Sequence, residues 1–173
     1  MERRSSVSQK SWKPLLLIDV DGVLSLFGPG LDVRSAGHGL IVDGIPHFLS
    51  EEAGNHLREL AAHFDCVWCT GWEEKADEYL RSVYSLPNVW PHLTFRTQPD
   101  GAHWKLGAID SYAGPDRPVG WIDDAFDARC ETWAAERPGP TRLFPTNPAT
   151  GLTAAVTAEV RSWAAGLALG EPA

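Results

Sequence analysis

Short apolar runs alternate along the chain with stretches in which apolar residues recur every three or four positions. Residues 14–19, PLLLID, are almost continuously apolar and end in a carboxylate. That is the pattern of a strand buried on both faces and finishing at a sheet edge. Residues 65–69 (DCVWC) and 118–123 (PVGWID) repeat it, and 93–95 and 141–144 are shorter versions. Ser50 offers an N-cap, with Glu51 and Glu52 in the first turn of a helix. Leu57, Leu60, Ala61 and Phe64 follow at helical spacing. Ala76, Tyr79, Leu80 and Val83 mark the apolar face of a second helix. A third is predicted over 104–113, ending at Gly114-Pro115, and two more over 128–136 and 153–168. Residues 22–49, rich in Gly and Pro, predict an irregular excursion with room for a small hairpin. Strands alternating with helices predict an α/β fold with a mainly parallel sheet.

Composition narrows the picture. A chain of 173 residues, 43% hydrophobic and 22% charged, fits one globular domain with a sizeable core. Residues 1–12 read as a flexible polar leader and 13–173 as a single domain. The net charge of −8 argues against extended binding to a nucleic-acid backbone, though not against contact with a nucleic-acid end. Cys66, Cys69 and Cys130 make an odd, low count, which predicts a reducing compartment and a cytoplasmic location. Cys66 and Cys69 lie three apart on a predicted strand, so they point to opposite faces and read as core thiols. The apolar run before Asp19 is too short for a signal peptide, and no run approaches the length of a membrane span.

In open α/β sheets, ligands bind beyond the carboxyl ends of the strands. The residues there are Asp19 and Asp21, Thr70, and Asp123 and Asp124. In DVDG, Asp19 is placed as a nucleophile or metal ligand on a rigid strand. Asp21 can reach the same substrate from another angle, and Gly22 permits a sharp turn. A calcium loop would need further oxygen ligands where this chain has the apolar VLSLF. Thr70 and the N–H groups of the turn at Gly71 can hold a phosphoryl oxygen. A phosphoryl group facing a carboxylate nucleophile needs a cation. The only lysines are Lys10, Lys13, Lys75 and Lys105. The first two precede the first strand and Lys75 reads as solvent-facing, so Lys105 is selected. In WIDDAFD, adjacent carboxylates after an apolar strand are costly unless a cation holds them. Magnesium, which prefers oxygen ligands, suits Asp123 and Asp124. Asp124 and Asp127 can also be read as a solvated turn or a helix N-cap.

Taken in order, D-x-D-G, Thr, Lys and D-D-x-x-D resemble the four signature motifs of the haloacid-dehalogenase superfamily, over roughly residues 14–127. LLLIDVDGVL, WCTGWEEKADEYL, LPNV, GWIDDAFD and NPATGLT also resemble the small haloacid-dehalogenase domains of Swiss-Army-Knife RNA repair proteins. The wider resemblance implies a Rossmann-like core with its central sheet flanked by helices. It also implies magnesium-dependent phosphate monoester hydrolysis through an aspartyl phosphate. In that scheme Asp19 is the nucleophile and Asp21 the acid and base. Thr70, Gly71 and Lys105 bind the phosphoryl group. The Asp19 carboxylate, the Asp21 carbonyl and Asp123 hold Mg²⁺, with Asp124 joining directly or through water, and Asp127 orients Lys105 or a metal-bound water. Spacing leaves room only for a flap within 24–48, not for a folded cap. A minimal cap favours a large phosphorylated substrate, such as a nucleotide or nucleic-acid end, with Trp72 or Trp104 available to stack on a base. A catalytically silent binding module and a phosphotransferase are the alternatives. The sequence leaves the oligomeric state open.

Overall fold

The computed structural model describes residues 13–31, 37–96 and 103–169; the predicted leader lies outside them. Four strands form the central sheet: β1 (Leu15–Ile18), β5 (Asp65–Trp68), β6 (Val119–Asp123) and β7 (Thr141–Pro145). They pair in the order β5-β1-β6-β7, all parallel. The order puts β1 and β6 at the centre, which is why LLLI and VGWID are buried at every position. Between β1 and β5 lies a second, antiparallel sheet of β2 (Ser25–Leu26), β4 (Ile45–Ser50) and β3 (Gly37–Val42), in the order β2-β4-β3. The described residues of the excursion predicted over 22–49 contain this sheet, which forms the flap.

Among the described residues, five helices cover the central sheet: α1 (Glu51–Ala61), α2 (Glu74–Val83), α3 (Leu106–Ala113), α4 (Ala128–Glu136) and α5 (Ala154–Leu169). Ser50 caps α1 as its sequence predicts, its hydroxyl accepting from the Ala53 N–H at 3.3 Å. Alternation along the strands divides the core into two layers. Leu16, Ile18, Trp68 and Ile122 pack with Leu57 and Leu60 of α1 and Val160 and Trp163 of α5. Leu15, Leu17, Val67 and Trp121 pack with Ile109 of α3 and Cys130 of α4. Cys66 lies in the first layer and Cys69 in the second, as strand geometry requires, and all three cysteines are free and buried. No helix among the described residues is long and apolar enough to cross a membrane.

The strand predicted over 93–95 does not form. One parallel bridge, Trp68 to His92, continues the sheet, with the Trp68 N–H donating to the Pro91 carbonyl and the Leu93 N–H to the Trp68 carbonyl. The next donor leaves the ladder: the Phe95 N–H bonds the Glu73 carboxylate at 2.9 Å. A side chain has taken the place of a strand partner.

The β7–α5 turn is packed onto the loop after β1, where the Leu152 N–H donates to the Val23 carbonyl at 2.8 Å. Gly151 sits there at φ +63, and a Cβ would stand 2.3 Å from the Val23 carbonyl oxygen. Gly151→Ala should therefore destabilise the fold by more than about 2 kcal/mol, combining backbone strain with a backbone clash. Gly39→Ala faces open space in β3 and should stay within about 0.5 kcal/mol of the parent. Urea melts of the two variants make the comparison; equal effects would contradict this packing.

Candidate active site

Parallel register creates the site. Ile18 is paired with both Trp68 and Ile122, so the next residues, Asp19, Cys69 and Asp123, emerge level with one another at the carboxyl edge. The ladder carries on through the Asp19 N–H to the Ile122 carbonyl at 3.0 Å and the Cys69 N–H to the Ile18 carbonyl at 2.8 Å. Neighbouring parallel strands stand about 4.8 Å apart, so two buried carboxylates are held side by side.

Lys105 lies between them. Its ammonium is 2.8 Å from Asp19 Oδ2 and 2.6 Å from Asp123 Oδ2, and its side chain is only 3% exposed. It comes from the residue before α3, with His103 Nδ1 accepting from its backbone N–H at 3.4 Å. Asp123 is further fixed by the Trp121 indole N–H at 3.1 Å and the Ala125 N–H at 3.0 Å. Asp19 accepts from the Val20 N–H at 2.7 Å. Asp124 closes the cluster: one carboxylate oxygen each from Asp19, Asp123 and Asp124 lie within 4.8 Å of one another. The Asp124 side chain lies against Gly22, where a Cβ would be 2.3 Å from its Cγ, so the glycine of the first motif makes room for a carboxylate of the fourth.

The electrostatics follow from burial. Desolvation pushes the Asp19 carboxyl up to about 7; Lys105 opposes that rise and Asp123 adds to it. Burial, then repulsion from Asp123, raises Asp124 as well. Burial works against the Lys105 ammonium, but Asp19 and Asp123 outweigh it and hold its pKa above the ordinary lysine value. With all three acids ionised, one lysine leaves the cluster about two charges negative. An all-oxygen donor set with that excess fits a hard divalent cation such as magnesium. The Asp21 carbonyl takes part in neither hydrogen bond of the Asp21–Ser25 bridge, which are made by Gly22 N–H to Ser25 O and Ser25 N–H to Val20 O.

Thr70 follows β5 and is wholly buried, its hydroxyl accepting from the Trp72 N–H at 3.3 Å. Gly71 lies beside it in the exposed turn, 3.9 Å from the Trp104 ring by the position of its missing Cβ. Trp104 is 44% exposed, and its ring centroid is 5.0 Å from the Lys105 ammonium. Asp21 is half-exposed and accepts from the Trp72 indole N–H at 3.0 Å.

One expectation is corrected. Of the two readings of Asp127, the helix N-cap holds and the orienting of Lys105 does not: it caps α4, accepting from the Arg129 N–H at 3.0 Å and the Cys130 N–H at 3.1 Å. The Arg129 guanidinium holds its carboxyl well below the usual carboxylate range. Lys75 faces solvent as its sequence predicts, and there pairs with Asp43 at the flap tip. Three neighbours of the site were not read from the sequence. His47, on β4, is an isolated histidine until the flap register turns it inward. His103 is buried against Trp121. Thr146 joins the loop after β1 to β6, donating from its hydroxyl to the Gly22 carbonyl and from its N–H to the Asp123 carbonyl. None of the three belongs to a motif; Thr146, directly after β7, could have been found from the pattern of strand ends, whereas His47 lies within β4 and His103 before α3.

No family model matches this chain, and no curated protein does. Among solved structures, the chain is similar to one described as a HAD superfamily (subfamily III A) hydrolase from Legionella pneumophila. The match covers 92% of this chain and 88% of that one, at 16% identity and a TM-score of 0.44. At that distance the likeness carries no assignment of activity, and the narrower resemblance to RNA-repair domains gains nothing from it.

The raised Asp19 pKa fixes the sign of a pH dependence. Between the unfolded carboxylate value and about 7, the folded chain holds a proton that the unfolded chain has released. Stability in chelator should therefore fall as pH rises from about 4 to about 7. The raised Lys105 pKa acts only above the ordinary lysine range. His103, lowered by burial, tilts the curve the other way below about pH 6.5, so the informative quantity is the difference between parent and Asp19→Asn. Thermal melts across this range should show a steeper fall for the parent. Mg²⁺ should raise the parent's Tm more at pH 8 than at pH 5. Parallel curves for the two proteins would count against this electrostatic account.

Proposed function

We propose that this chain is a hydrolase of the haloacid-dehalogenase type: a magnesium-dependent phosphatase that cleaves phosphate monoesters through a phosphorylated Asp19. The observation that carries the reading is the Lys105 ammonium bonded at once to Asp19 and Asp123, with Asp124 completing the acidic cluster. A structural ion pair needs one carboxylate. Two carboxylates on one buried lysine, with a third beside them at the edge of a parallel sheet, suit a site built for a cation and an anion together.

The residues divide the chemistry as follows. Asp19 Oδ attacks phosphorus as the ester P–O bond breaks, and Asp21 gives its proton to the departing alkoxide oxygen. Water then attacks the acyl phosphate and passes a proton back to Asp21. Cleavage of the Asp19–phosphorus bond releases inorganic phosphate, so ester and water become alcohol and phosphate. Lys105, the Thr70 hydroxyl and the turn at Gly71 hold the non-transferring phosphoryl oxygens. Magnesium, held by the Asp19, Asp123 and Asp124 carboxylates and the Asp21 carbonyl, would neutralise phosphate charge when bound. A carboxylic acid two residues after the nucleophile suits phosphate-ester hydrolysis, because an alkoxide leaving group requires a proton.

Asp19→Asn should retain the fold by circular dichroism and lose at least about a thousandfold in Mg²⁺-dependent turnover of p-nitrophenyl phosphate. Asp21→Asn should accumulate phosphoenzyme detectable by mass spectrometry. Near-parental turnover by Asp19→Asn would defeat the mechanism.

For the substrate we propose a phosphorylated nucleotide or nucleic-acid end. Between Gly22 and Thr70 the described residues form the flap, α1 and β5 rather than a separate folded cap. Trp104 stands exposed beside Lys105 and Gly71, where a base could stack. On this reading kcat/KM for a 5′-phosphorylated oligonucleotide or a mononucleotide exceeds that for glucose 6-phosphate. Trp104→Ala should narrow the gap by roughly 5- to 100-fold, the worth of one stacking contact. A preference for the sugar phosphate would overturn the substrate assignment and leave the mechanism standing.

A further inference from the structure

One point of the site receives contacts from the flap and from the turn after β5 together, and that point is Asp21. The Trp72 indole N–H donates to Asp21 Oδ2 at 3.0 Å. His47 of β4 lies on the other oxygen, its Nδ1 3.6 Å from Oδ1. The same nitrogen is 2.9 Å from Ser25 Oγ in the neighbouring strand β2, which fixes the ring. The two rings brace each other, edge to face, with centroids 4.6 Å apart. The Asp21 side chain is 50% exposed, whereas His47 is 13% exposed. A half-solvated aspartate on a turn would otherwise sample several rotamers. Here each carboxyl oxygen has a fixed neighbour.

We propose that Trp72 and His47 are positioning residues for Asp21, holding its carboxyl toward the leaving-group side of the site. This rests on the phosphatase reading above. An indole N–H can only donate, so the oxygen it binds is kept as the acceptor. A cavity of about 310 Å³ opens between the flap and the start of α2, with Asp21, His47, Gly71 and Trp72 on its wall. The alcohol half of the ester lies there, next to the acid that must protonate it. Lys75 and Asp43 span the same cleft and tie the flap tip to α2. The flap thus holds the acid in place as well as covering it.

The test uses two esters that differ in their need for an acid. p-Nitrophenolate leaves without a proton; the alkoxide of β-glycerophosphate does not. kcat/KM reports the steps up to release of the alcohol, before water enters. Trp72→Phe keeps an aromatic ring and deletes the donor. It should lower kcat/KM for β-glycerophosphate by at least about 10-fold and leave that for p-nitrophenyl phosphate within about threefold. Slower breakdown of the phosphoenzyme should also give a burst of p-nitrophenolate. His47→Gln, which leaves Trp72 intact, should show the same selective loss in smaller measure and serves if Trp72→Phe folds poorly. Parallel losses on the two esters in both variants, with no burst, would mean a merely structural role and overturn the inference. Parental protein inert toward both esters would instead overturn the phosphatase reading, and this inference with it.

Discussion

The contact on which the site depends is a lysine shared by two carboxylates that cannot move apart. Asp19 and Asp123 follow in-register parallel strands, so the ladder itself sets their separation. A cation between them is what lets both stay ionised in a buried setting. Lys105 supplies it at 2.8 and 2.6 Å. Losing one partner from such a buried cluster typically costs about 3–5 kcal/mol, because the remaining charges are stranded. The indole of Trp121, the N–H groups of Val20 and Ala125 and the turn at Gly22 are organised around the same acids.

Much of this was legible in the sequence because both strands are buried on both faces. LLLI and VGWID are continuous apolar runs of the kind a strand in the middle of a parallel sheet requires, and an acid at the end of such a strand lies at its carboxyl edge. The helix starts were legible where capping chemistry was explicit, as at Ser50. The failures share a cause. The run at 93–95 looked like a strand, but a single bridge formed and Glu73 captured the next N–H. Asp127 was close enough in sequence to join the acidic cluster, yet its backbone position at the start of α4 turned it into a cap. In each case backbone hydrogen bonds to a side chain decided between two local structures, and sequence patterns do not rank such bonds.

The flap shows where pattern reading stops. Its strands carry Gly and Pro and alternate imperfectly, so neither their pairing nor their faces can be taken from composition. Once β3 and β4 are paired with Leu40 opposite His47, the histidine and the isoleucines separate onto opposite sides or to the tip. Ile41 and Phe48 look outward while His47 looks toward Asp21. A one-residue slip would exchange those roles, taking His47 out of the site. The turn at Asp43-Gly44 and its ion pair to Lys75 work against such a slip.

The three unpaired thiols turn the two core layers into separate clocks for the breathing of the protein. Cys66 belongs to the layer under α1 and α5, whereas Cys69 and Cys130 belong to the layer under α3 and α4. Burial pushes Cys66 up to about 12 and Cys69 well above its ordinary value, so in the closed state neither is a thiolate an alkylating reagent could find. Each sulfur becomes reactive only when its own side of the sheet opens. The order in which the thiols are consumed is therefore the order in which the two halves of the molecule come loose.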